Sequence, residues 1–400
     1  MPQAVREGYN PGTMSRNVIL ALVISASVIT LMSTDLYAPS LAHLPELLGT
    51  SAELVQLTVS LNLLAYGLAT LIHGPLSERF GRRPVLLWGM AGFTLASFLC
   101  AIAADIGQLL FARVFQGIAA AVEGVVVLAI IRDLFTEKEQ VRAVAIYGVA
   151  TAFAPAFAPL LGGYIHVLFG WRMNFHLLTG LALAVTALIT LFLKESGKKD
   201  HDALDLKEIY ADYFGLLSNR SFLLYITIGG CSLGCIFVFI TAGPFILINN
   251  HGVATEHFGY YYAVIVIAYI IGSLLAARMS GRHGAREILR AGVCCAVIGS
   301  LLLLAILASG WETPVTLTLA VAVLLFAEGP IFAVVPTLAM NTTDKRTGSA
   351  AAVIISAEMA IGSLAALAVS WTHDGTSLPM ILIMLALVVI VVLAYLRSGR

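Results

Sequence analysis

Apolar runs of about the length that crosses a bilayer, roughly 20 residues each, alternate along this chain with short polar breaks. The runs near residues 17–40, 54–76, 84–104, 108–131, 142–168 and 173–193 predict six spans, and those near 221–248, 257–278, 286–308, 314–340, 348–370 and 377–396 predict six more. Between the two sets lies the longest polar stretch, KESGKKDHDALDLKEIYADYFGLLSNR, residues 194–220. The expected organisation is an all-α membrane protein: a cytoplasmic segment 1–16, a six-helix half 17–193, a cytoplasmic linker 194–220, a second half 221–396 and a short cytoplasmic tail 397–400. Within the linker, Leu206, Ile209, Tyr210, Tyr213, Phe214 and Leu217 recur at helical spacing opposite Lys207, Glu208 and Asp212. That pattern is an amphipathic helix, lying on the membrane surface or packed against the cytoplasmic ends of the spans.

Charge gives the orientation. Of the 23 Lys and Arg, all but Arg113 and Arg172 fall on one side if the N-terminus is cytoplasmic, so both termini are expected there by the positive-inside rule. The opposite loops are short and carry Glu46, Glu53, Asp105, Glu256, Glu312 and Asp374.

Composition narrows the function. With 59% apolar and 12% charged residues, against roughly a quarter charged in soluble domains, there is no room for a large catalytic domain outside the bilayer. The formal net charge of zero provides no field for nucleic acid. The cysteines Cys100, Cys231, Cys235, Cys294 and Cys295 sit in apolar runs without metal spacing and read as small buried hydrophobes, so neither metal nor cofactor is expected. The polar N-terminus runs straight into a full-length span, unlike a cleavable signal peptide.

The loop after the second span, GPLSERFGRRPVLL from Gly74 to Leu87, resembles the signature of the major facilitator superfamily. Gly74 permits close helix approach, Gly81 a tight turn, and Arg79, Arg82 and Arg83 anchor the loop on the cytoplasmic side, while Glu78 stands where Asp is usual. A weaker counterpart, GSLLAARMSGRHGARE, follows the eighth span. Three further stretches resemble the twelve-span drug/proton antiporter branch, the Bcr/CflA type most closely. They are LLFARVFQGIAAAVEG with Arg113, Gln116 and Gly117; APAFAPLLGG with Pro159, Gly162 and Gly163, where Ala154 and Ala158 replace the usual glycines; and STDLYAPSLAHLP with Asp35, Tyr37 and Pro39. The resemblance implies two six-helix halves around a central cavity and transport without chemical change of the substrate.

Ionisable groups inside hydrocarbon cost about 2.5–3.5 kcal/mol on insertion scales, so each is a functional candidate. Asp35, Arg113, Glu123, Glu328 and Glu358 stand well inside spans. Asp35 and Arg113 fall at matching depth in the external half, where they could pair and couple transport to protons. Steps of 100° place Arg113, Gln116, Gly117, Ala120, Glu123 and Gly124 on one face of the fourth helix. Superfamily likeness puts Glu328 opposite Glu123 across the cavity, where two carboxylates would favour cationic or polyhydroxyl substrates or add a proton site; the alternative is interhelical hydrogen bonding by protonated carboxyls. Glu358 is a possible second proton site. Asn62, Tyr66, Gln116, Phe237 and Tyr262 are further substrate-lining candidates; Phe239, Tyr269 and His73 are softer ones.

The expected function is a monomeric, proton-coupled exporter of small amphipathic compounds in a bacterial inner membrane, with substrate, protons and lipid as partners. The rival transporter is an exporter or importer of one natural metabolite, such as a sugar or nucleoside. A membrane-embedded enzyme or sensor is the rival from another class; no GxxxxGK[ST] or HExxH sequence is present to support ATP use or zinc hydrolysis.

Overall fold

The computed structural model describes residues 15–197, 206–343 and 347–398. Most of the expected N-terminal segment 1–16, the first part of the linker and the last two residues lie outside the described residues. Among the described residues, twelve helices are long and apolar enough to cross a membrane. Those of the first half are Arg16–Leu47, Ala52–Phe80, Arg82–Ile102, Ile106–Leu134, Glu139–Phe169 and Arg172–Phe192. The second half has Arg220–Asn250, Thr255–Met279, Ala285–Ser309, Pro314–Met340, Ser349–Trp371 and Leu378–Arg397. No strand occurs among the described residues.

Local chemistry starts these helices. The side chains of Ser51, Asp105, Asn219 and Thr313 accept hydrogen bonds from the backbone N–H of Leu54, Gln108, Phe222 and Thr316, capping the second, fourth, seventh and tenth spans. Three spans are irregular. The first is α-helical only to Asp35, then narrows to a buried 3₁₀ turn at Ala38–His43 ahead of Leu44–Leu47. The fourth is broken at Ala121, between Ile106–Ala120 and Val122–Leu134. After Pro244 the seventh widens into a π-helical turn, Phe245–Asn250.

The two halves meet along two helix pairs, the second span against the eleventh and the fifth against the eighth. Small residues permit both crossings: a Cβ on Gly67 would collide with Met359, and one on Gly259 with the backbone of Leu160. Ala154 and Ala158 are buried, and the tightest packing of the fifth span lies a turn further on, at Gly162 and Gly163. Gly162 abuts the carbonyl of Leu36 and Gly163 abuts Thr255 and Glu256, so one helix turn touches both halves.

The linker helix, Leu206–Ser218, packs against the seventh and eleventh spans. Leu216 is buried, Tyr213 donates to the carbonyl of Leu71 at 3.1 Å, and Phe214 and Leu217 are exposed. The side chains of Leu206, Ile209 and Tyr210 lie outside the described residues. The cysteines differ from the sequence reading in one respect. Cys100, Cys231 and Cys235 are buried, whereas Cys294 is exposed and Cys295 partly so, because the ninth span lies at the periphery and turns that edge outward.

Candidate transport site

Arg113, the largest fully buried side chain, organises the first half. Its Nε donates to the carbonyl of Thr58 at 3.2 Å, one terminal nitrogen to the carbonyl of Ser33 at 3.2 Å and to Gln116 Oε1, and the other to Thr34 Oγ1 at 3.1 Å. The guanidinium stands 4.9 Å from the centre of the Tyr37 ring. One cation thus ties the fourth span to the first and second using neutral acceptors. Asn62 and Gln116 extend the same framework: Asn62 donates to the carbonyl of Arg113 at 2.7 Å, and Gln116 donates to Ser97 Oγ at 2.8 Å.

Asp35 is buried where the first helix unwinds, and its position corrects the expected pairing with Arg113. The two are not within 4.0 Å, and among the described residues the ion pairs with Arg are Arg16–Glu139, Arg82–Glu78 and Arg82–Asp133. Arg113 is occupied by groups immediately preceding the aspartate, at Ser33 and Thr34. The partner of Asp35 is Tyr262 of the eighth span, whose hydroxyl donates to Oδ1 at 3.1 Å from the opposite half.

Glu123 accepts from the hydroxyl of Tyr66 at 3.0 Å and from that of Tyr147 at 3.4 Å, within the first half. Gly124, beside it, leaves room for the Tyr66 hydroxyl. Glu328 departs from expectation. It does not face Glu123 across a shared cavity; it is buried among the seventh, ninth, tenth and twelfth spans, in a small cavity lined by Ser232, Cys235, Leu324 and Val388 among others. Neither carboxylate oxygen has a hydrogen-bond partner. Depth along a helix fixes its level but not its azimuth, and the tenth span is turned into its own half. Glu358 is buried against Gly229 of the seventh span, with Oε1 unpartnered. Phe237 lies against Gly362 of the eleventh span, and Tyr262 stacks between Phe239 and Phe258. His73 hydrogen-bonds the carbonyl of Ala69 along its own helix, and Tyr269 meets Phe332 edge-on.

The signature loop is a charged clasp within the first half. Gly81 has φ +103°, and Glu195, just past the sixth span, occupies the space a Cβ would need. Glu195 accepts from the backbone N–H of Arg82 at 2.8 Å and of Arg83 at 3.3 Å. Arg82 reaches Asp133 at 3.5 Å and Glu78 at 4.0 Å, Arg83 donates to the carbonyl of Thr190 at 2.8 Å, and Gly74 approaches Val125. Arg79 stands 5.7 Å from the Phe80 ring. Asp133 and Glu195 were not singled out from the sequence, where they stand beside Arg132 and Lys194 at helix ends; only the fold brings them to Arg82 and Arg83.

At the end bearing the short acidic loops, further hydrogen bonds join the halves. His43 Nε2 meets Thr255 Oγ1 at 2.7 Å, Asn249 donates to the carbonyl of Ala42 at 3.2 Å, Gln56 meets His373 at 3.2 Å, and the hydroxyls of Tyr164 and Tyr260 lie 3.0 Å apart. His43 stacks on His166, which bonds Ser40. At the other end the fifth span is largely exposed: from 141 to 153 only Ala143 is buried, and Tyr147 reaches Glu123. GCSLG, Gly230–Gly234, fits a GxSxG pattern, but Ser232 lies inside a continuous helix rather than on the strand-to-helix elbow that exposes a nucleophile.

The sequence model of the Major Facilitator Superfamily matches residues 23–367. The chain is 30% identical to the bicyclomycin resistance protein homolog of Haemophilus influenzae, over 92% of this chain and 93% of that protein. It is 28% identical to a chloramphenicol resistance protein of Pseudomonas aeruginosa, over 94% and 90%. Its fold matches the inward-facing, unoccupied crystal structure of a bacterial homologue of the human lysosomal transporter Spinster, with a TM-score of 0.73 at 14% identity, over 98% of both chains. The chain is a twelve-span membrane transporter of the Major Facilitator Superfamily, of the Bcr/CflA type.

Proposed function

We propose that the protein exports small amphipathic compounds, drugs or toxic metabolites, across a bacterial inner membrane in exchange for protons. Both termini are cytoplasmic, the working unit is a monomer embedded in lipid, and no cofactor takes part. The observation that carries this reading is the buried Asp35, hydrogen-bonded to the opposite half and set beside the immobilised Arg113. A buried acid at the boundary between two bodies that rock against each other can bind its proton from one side and release it to the other.

The joined outer ends and the exposed cytoplasmic stretch of the fifth span support a state open to the cytoplasm. A compound enters there and meets Glu123 with Tyr66 and Tyr147, a carboxylate and two phenols suited to a cation or a hydroxyl-rich ligand. Rocking about the two crossings exposes the site outward, where protonation of Asp35 accompanies release. Asn62 and Gln116 hold Arg113 in place rather than touching substrate. Glu358, at the crossing of the seventh and eleventh spans, is a candidate for a second proton. The names of the relatives support bicyclomycin and chloramphenicol as first probes.

The test uses inside-out vesicles with an acidified interior and a pH-sensitive dye, challenged with these two compounds, cationic dyes, nucleosides and sugars. Compound-triggered proton release is expected for an amphipathic drug. Release by a sugar or nucleoside alone would favour a dedicated metabolite carrier, and silence across the panel would contradict proton exchange.

A further inference from the structure

Asp35 and Tyr262 belong to different halves, and their hydrogen bond is the deepest of those that join them. The bonds from His43, Gln56, Asn249 and Tyr164 all lie at the outer ends of the spans. Tyr262 sits one turn into the eighth helix, with its ring stacked 6.2 Å from both Phe239 and Phe258 and only 3% of its surface exposed. Its helix is seated against the first half by Gly259 on Leu160 and by Gly163 on Thr255. The hydroxyl therefore reaches Asp35 only while the outer ends are together, and among the described residues it is the one hydrogen-bond donor that the carboxyl has.

We infer that Tyr262 is a positioning residue through which closure of the outer side drives the proton off Asp35. A hydrogen bond donated to a carboxylate is roughly twice as strong as one between neutral groups, so bringing the hydroxyl up favours the ionised acid. Closure thus converts the Asp35 carboxyl to carboxylate and sends one proton toward the cytoplasmic side. Opening withdraws the hydroxyl with its helix, and the buried acid takes a proton from outside. Tyr262 remains a phenol throughout. The other groups facing this pair are few. Arg113 on the fourth span is held by neutral acceptors and stays fixed in the first half with Asp35. The second span presents the uncharged Thr58 and Asn62, the unwound end of the first presents Tyr37, and Glu328 on the tenth lies beyond Tyr262 in the second half. As the halves rock, Tyr262 and, behind it, Glu328 change their distance from Asp35, and of the two only Tyr262 hydrogen-bonds it.

This inference rests on Asp35 as the proton site, and the test separates the two claims. Purified protein in lipid is titrated by infrared difference spectroscopy, following the protonated-carboxyl band that disappears in Asp35→Asn. In Tyr262→Phe, which keeps the stacking ring, the band's midpoint is expected to move to higher pH by about one unit or more, the size of a charge-assisted hydrogen bond. Gradient-driven accumulation of chloramphenicol in Tyr262→Phe should fall about tenfold. Placing 3-fluorotyrosine, a more acidic phenol, at position 262 should move the midpoint the opposite way. An unchanged midpoint in both Tyr262 variants, with the band still lost in Asp35→Asn, would overturn the role of Tyr262 alone. A band that survives in Asp35→Asn would overturn the proton site and this inference with it.

Discussion

Arg113 illustrates how a buried charge is tolerated without a counter-ion. Its donors meet two backbone carbonyls, a hydroxyl and an amide oxygen, a set that only the planar fork of a guanidinium spans. Arg113→Lys is therefore expected to destabilise the purified protein by about 1–3 kcal/mol for each acceptor left unpaired, seen as a lower thermal midpoint, and to abolish transport; an unshifted midpoint would show that the acceptors find other partners. Glu328 is the opposite case, a buried carboxyl with no partner. Glu328→Leu removes only a desolvation cost, so the midpoint should rise, and a fall would show that the carboxyl stabilises the fold. The importance of these residues was legible because a charge in an apolar run is an anomaly wherever it points. Their partners were not. Asp35 was expected to meet Arg113 from depth alone, and Tyr262, expected to line a substrate site, carried no sign that its partner is Asp35.

Among the helices, most boundaries were legible to within four residues because hydropathy and polar breaks mark them, the far end of the first span at Leu47 being the exception, but irregularities were not. The break at Ala121 and the 3₁₀ turn at Ala38–His43 carry no glycine or proline signal that distinguishes them from ordinary helix, since Pro39 is equally at home in a first helical turn. The fifth span offers a controlled comparison of two glycines. A Cβ on Gly162 would run into the Leu36 carbonyl, whereas one on Gly148 meets nothing within 4 Å. Gly162→Ala should force the first and fifth spans apart and abolish transport; Gly148→Ala should leave transport intact and stabilise the protein by up to about 1 kcal/mol of helix propensity, seen as a higher thermal midpoint. Equal effects of the two would refute the idea that the antiporter-like stretch acts through close packing.

For the whole molecule, two halves of six spans and a linker were legible from the run lengths and from the single long polar stretch. The side on which the halves are joined was not, because the proposed rocking requires one sequence to serve both arrangements with small differences in stability. The outer contact of Tyr164 with Tyr260 makes this testable. In a chain whose native cysteines are replaced by Ala, Tyr164→Cys with Tyr260→Cys should cross-link with a short bifunctional reagent and stop transport, and a reducible linker should restore it on cleavage. Transport that continues through the cross-link would exclude rocking of the halves.

The central claim is that Asp35 exchanges a proton for substrate across the membrane. The most direct measurement places purified protein in liposomes, imposes only a pH gradient, and follows labelled chloramphenicol in wild type and Asp35→Asn. The account predicts uphill accumulation in the acidic compartment, reversing when the gradient is reversed, and only downhill exchange in the variant. Accumulation of equal size and direction in Asp35→Asn, with the protein shown to be folded, would contradict it.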